Sequence, residues 1–140
     1  MTHWLLKTEP DVFSWDDQVK RGAKGEPWTG VRNFTARRNL AAMKKGERGF
    51  FYHTGDERRV VGVVEVIREA YPDPTDETRK FVAVDVKAVA PVPKPVTLAD
   101  IKAAARLSDM LLVRQSRLSV MPVTDAEWRI ICQMAGATGL

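Results

Sequence analysis

The 140-residue sequence holds one cysteine, Cys132, and two histidines, His3 and His53. A single thiol excludes an intrachain disulfide and makes a reducing, cytoplasmic setting the expectation. A zinc site needs three or four Cys, His, Asp or Glu ligands at suitable spacing. The sequence offers no such cluster, so neither a metal nor another cofactor is expected. No stretch approaches the roughly 20 apolar residues of a membrane span. The opening Met1-Thr2-His3-Trp4 lacks the basic region and apolar run of a secretory signal. Also missing are the G-x-S-x-G, H-E-x-x-H, P-loop and G-x-G-x-x-G patterns, and with them the main sequence marks of serine hydrolases, zinc peptidases and nucleotide binding. Acidic residues are in mild deficit, 18 against 22 basic, for a net charge of +4. The excess gathers from Arg32 to Arg48, where Glu47 is the only acid. Such a run reads either as a solvated helix face or as a surface for a polyanion.

What is present suggests one domain. His3 to Thr8 reads as a buried strand, and Ser14 with Asp17 three residues on opens a short helix. A loop over 22–27 delivers Trp28. The best amphipathic helix spans Arg32 to Met43, with Phe34, Leu40 and Met43 as its inward stripe. Strands follow at 48–54, 59–71 and 80–92, joined by tight turns or short loops, so they are expected to pair antiparallel. Gly62 inside the second marks a bulge or a close backbone approach. Thr97 with Asp100 caps another helix, and residues 107–113 read as a helical turn or a strand. A return strand over 117–120 is expected to stop at Pro122. Thr124 and Glu127 then form a capping box for a final helix reaching Ala135. The sum is an α+β domain around a small, partly closed sheet.

Chemistry concentrates at strand ends. Trp28, between a Gly/Pro loop and Thr29-Gly30, offers a flat π-face on which a base can stack. Asn33 carries donors and an acceptor for a base edge, Thr8, Thr54 and Ser119 supply hydroxyls, and Lys7, Arg32, Arg114 and Arg117 suit phosphates. His53 beside a turn reads as a base, a ligand contact or an ordinary half-buried histidine. Cys132, on the apolar side of the last helix, reads as structural.

Seven stretches resemble the EVE family. They are WLLKTEP (Trp4 to Pro10), W-x-GVRN-x-x-AR (Trp28 to Arg37), MKKGERGFFYHT (Met43 to Thr54), VVGVVEV (Val60 to Val66), EAYPDPT (Glu69 to Thr75), VDV (Val84 to Val86) and RLSVMPV (Arg117 to Val123). They run in family order over nearly the whole chain, with Thr8 and Thr54 where serine is common. The resemblance implies a PUA-like fold, a small mixed or antiparallel β-barrel flanked by helices, over residues 1–140. It implies a non-catalytic reader of a modified base, such as methylated or hydroxymethylated cytosine, in DNA or RNA. By motif position it places Lys7, Thr8, Trp28, Arg32, Asn33, Tyr52, His53, Thr54, Arg117 and Ser119 at the pocket. Two alternatives stand beside it: a hydrolase of acylated nucleosides using Lys7, Tyr52 and His53 as an acid/base set, and a module for a small molecule or protein.

Overall fold

The computed structural model describes residues 1–140. Strand β1 (His3–Thr8) carries Trp4, Leu5 and Leu6, all buried, because it lies inside the sheet rather than at its edge. The others are β2 (Glu26–Pro27), β3 (Arg48–His53), β4 (Arg59–Pro72), β5 (Val82–Thr97) and β6 (Val120–Val123), in the order β2-β5-β4-β3-β1-β6. The three β-branched and aromatic runs form the expected antiparallel meander β3-β4-β5. β1 runs parallel to β3 and antiparallel to β6, so the sheet is mixed. Its end strands β2 and β6 do not pair with each other, and the sheet is open where a barrel was expected to close.

The helices are α1 (Trp15–Lys20), α2 (Phe34–Ala42), α3 (Leu98–Ala103), α4 (Leu111–Arg114) and α5 (Asp125–Ala135). Capping boxes at Ser14/Asp17, Thr97/Asp100 and Thr124/Glu127 start α1, α3 and α5. The ambiguous 107–113 stretch resolves into a 3-10 turn, Ala105–Leu107, followed by α4. Helix α2 has nine residues and is about 14 Å long. It nevertheless packs on β6 at one end of the sheet and on β4 and β5 toward the other, so the sheet curls around it.

Two sequence expectations are corrected. Phe34 is not part of the inward stripe of α2; it is 64% exposed, while Ala36, Leu40 and the following Met43 are buried. Phe34 precedes Ala36 by two residues, about 200° around the helix axis, which turns it outward. Pro122 does not end its strand either, since β6 runs through it to Val123. β6 is an edge strand, and a proline whose nitrogen faces the unpaired side removes no ladder bond.

Gly62 satisfies both readings made of it. The β3-β4 and β4-β5 registers slip beside it, and a Cβ built there would lie 2.5 Å from Trp15 ring carbons. Trp15 covers Gly62, with its backbone N–H donated to His53 Nε2 at 3.0 Å. Gly62→Ala is therefore expected to lower stability by about 1–3 kcal/mol through overpacking, read as a lower urea midpoint at unchanged slope. An unchanged midpoint would mean that Trp15 moves aside freely.

Candidate functional site

A cleft of about 450 Å³ opens where the end of β1, the segment 26–33 and the turn before β6 meet. Three backbone hydrogen bonds assemble it. Lys7 N–H donates to Ser119 C=O, Thr54 N–H to Thr8 C=O, and Trp28 N–H to Val84 C=O. The last ties the segment after β2 to β5, so that Trp28 to Asn33 spans from the sheet to the start of α2.

One wall is apolar, built from Trp28, Phe13, Val12 and Val31. Trp28 is only 6% exposed. Phe13 and Phe51 lie edge-on to its ring at 6.4 and 5.6 Å, so it is both core residue and cavity wall.

The polar walls carry more donors than acceptors. Lys7 is half-buried, donates from Nζ to Ser116 C=O at 2.9 Å and sits 5.8 Å from the Tyr52 ring centroid. No carboxylate pairs with it, and burial lowers its pKa from 10.5. The Asn33 Oδ1 caps α2 by accepting from Ala36 N–H at 3.0 Å, which leaves the Nδ2 donor for a ligand. The Thr8 hydroxyl donates to Phe13 C=O at 2.9 Å, so toward a ligand it accepts.

Arg32 is held in place rather than free. Its guanidinium donates to Asp73 Oδ2 and to Thr75 Oγ1, both at 3.0 Å. Asp73, whose side chain is wholly buried, also accepts from Gly30 N–H and from the Thr75 backbone N–H and hydroxyl. Burial alone would raise its pKa. The bonds from Thr75, Gly30 and Arg32 outweigh burial and hold it below 3.8.

Lys7, Thr8, Trp28, Arg32, Asn33 and Ser119 thus line one cavity, and Tyr52, His53, Thr54 and Arg117 do not. Tyr52 is buried, and burial pushes its phenol up to about 12. His53 uses both ring nitrogens: Nε2 accepts from Trp15 N–H, and Nδ1 donates to Glu57 Oε1 at 2.9 Å. Thr54 acts through its backbone on the end of β1. Arg117 lies in an adjoining groove with Arg114 and Thr35, of which Asn33 is the shared wall. Sequence reasoning missed Asp73 and Thr75, which fix the Arg32 wall. Their signal was the Asp two residues before a Thr within Pro-Asp-Pro-Thr, a pattern that favours a side chain-to-backbone turn.

A curled mixed sheet with a cavity at its strand ends, walled by an indole and an unpaired half-buried ammonium, defines a small binding domain of PUA-like type. The chain belongs to the EVE domain family, whose model matches residues 2–134. It is 33% identical to thymocyte nuclear protein 1 of Gallus gallus, over 94% of this chain and 68% of that protein. The NMR structure of a Rhodopseudomonas palustris protein is 54% identical at a TM-score of 0.93, covering 100% of this chain and 97% of the other. The crystal structure of human THYN1 protein in complex with 5-methylcytosine-containing DNA is 32% identical at 0.90, covering 96% and 98%. A Zygosaccharomyces rouxii YTH domain, at 17% identity and 0.56, shares the fold alone. No helix is long and apolar enough to cross a membrane.

Proposed function

We propose that this chain reads a modified nucleobase, holding it in the cavity beside Trp28 without chemical change. The observation that carries this is the pairing of an apolar aromatic wall with a half-buried Lys7 ammonium that no carboxylate bridges, the cavity's one acid, Glu26, being paired with Arg21. At about 450 Å³ the cavity falls within the usual 300–1,000 Å³ of small-ligand sites. Its donor-rich lining suits a base edge that is mostly acceptor. Cytosine presents a ring nitrogen and a carbonyl oxygen as acceptors and an amino group as donor, which suit Lys7 Nζ, Asn33 Nδ2 and the Thr8 hydroxyl oxygen. The similarity to the human protein solved with 5-methylcytosine-containing DNA makes methylated cytosine the first candidate and DNA the first carrier. The hydrolase alternative gains nothing from the site, because His53 is engaged at both nitrogens outside the cavity.

The test is a binding panel of single- and double-stranded DNA and RNA, each unmodified or carrying one modified cytosine, at two salt concentrations. Lys7→Gln is expected to weaken binding of the modified strand about tenfold or more, the size of a charge-assisted hydrogen bond, with little change in melting. An acceptor on the ligand favours the protonated amine. Wild-type affinity should therefore fall as pH rises through a Lys7 pKa below 10.5, and Lys7→Gln should lack that limb. Equal binding of modified and unmodified strands would overturn the reading.

A further inference from the structure

Of the exposed large apolar residues Met1, Val12, Val19 and Phe34, only Phe34 offers a flat aromatic face. One side of its ring is occupied. It stacks on Phe81 with centroids 4.9 Å apart and planes at 29°, and Phe81 is itself nearly buried. The 64% exposure therefore belongs largely to the opposite face. Its position ties it to the cavity twice over. Phe34 follows the cavity residue Asn33 in the chain, and the guanidinium of Arg32, also in the cavity wall, lies 5.5 Å from the Phe81 centroid. Arg37, which donates to Lys80 C=O, and Lys80 itself add positive charge nearby.

A base drawn into a pocket leaves its neighbour with an uncovered π-face, or leaves a gap of two stacking steps, about 7 Å in a duplex strand. A flat apolar ring next in the chain to a cavity residue can fill either. We propose that the open face of Phe34 receives the nucleobase adjacent to the one held in the cavity, so that the protein grips two consecutive bases of one strand. The Phe34-Phe81 pair is stacked before any ligand arrives, and the incoming base extends it by one layer. Arg32 and Arg37 flank that layer where the connecting phosphate passes. This rests on the reader function proposed above.

The experiment measures affinity for the free modified nucleoside, for a strand carrying it, and for two strands in which the base on one side or the other is replaced by an abasic residue. Phe34→Ala is expected to weaken strand binding roughly tenfold, the scale of one base-aromatic stack, while nucleoside binding stays unchanged. One of the two abasic strands should bind wild-type protein as weakly, with no further loss from Phe34→Ala, as coupled partners require. Phe34→Trp should restore tight binding. The platform is overturned if Phe34→Ala binds the intact strand like wild type, or if its loss is the same on both abasic strands. Wild-type protein that fails to distinguish the modified from the unmodified strand overturns the reader itself, a separable result.

Discussion

Trp28→Ala is expected to cost the fold about 3–5 kcal/mol before any ligand is offered. The ring is buried, its edge neighbours Phe13 and Phe51 pack against it, and Phe51 has no exposed surface at all. Removing the indole opens a cavity beneath the binding cleft and wets Phe51. Domains of this size hold only about 5–15 kcal/mol in total, so the variant should show a much lower urea midpoint. Loss of base binding in Trp28→Ala would therefore not isolate a stacking contact. Trp28→Phe is the cleaner probe: it keeps most of the buried surface and narrows the wall. It should fold near wild type and bind the modified base more weakly. A wild-type midpoint in Trp28→Ala would contradict the core role.

Asp73→Ala is expected to be nearly as severe, at about 3 kcal/mol, because it strips a buried carboxylate that takes hydrogen bonds from three residues. Arg32, 42% exposed, can rehydrate, which keeps the cost toward the lower end for a broken buried pair. Binding should suffer too, since Gly30 and Arg32 lose their common anchor. The effect has a pH signature. The folded-state pKa of Asp73 lies below 3.8, so its contribution is present above that value and is lost as pH falls toward the folded pKa. The stability gap between wild type and Asp73→Ala should shrink below about pH 4, measured as urea midpoints across the acid range. A gap that stayed constant with pH would mean that Asp73 acts by shape rather than charge.

Local signals were the readable ones. Each capping box joins residues three apart, and the meander strands are joined by tight turns or a short loop, so a short window contains the whole interaction. What escaped was carried by distant partners. Asp73 reaches Gly30 and Arg32 from 43 and 41 positions away. His53 is claimed by the Trp15 amide from 38 away. An isolated histidine at a strand end gives no hint of that, and neither does a Trp after a Gly/Pro loop reveal that Phe51 will pack against it. Phe34 was misjudged for a subtler reason. Near the start of a helix an aromatic fits an apolar stripe on paper, and only the angle to Ala36 and Leu40 decides its face. Strand-end chemistry pointed to nine of the ten candidates, and the family likeness added Tyr52 and gathered all of them at one pocket. The fold then divided them between one cavity, its supports and, for Arg117, an adjoining groove.

The placement of β1 between β3 and β6 also sets an order of events during synthesis. The nascent chain releases Trp4, Leu5 and Leu6 well before their last partners, Val120 to Pro122, which emerge more than a hundred residues later. The meander can form early from near neighbours, whereas β1 keeps one bare edge until the end, which favours slow closure and sticking to other chains in the interval. Because Ser119 leads into that final strand and receives the Lys7 amide, ligand competence arrives with the last zipper stroke. A nascent chain therefore acquires its grip on a base only once β6 has emerged and zipped onto β1.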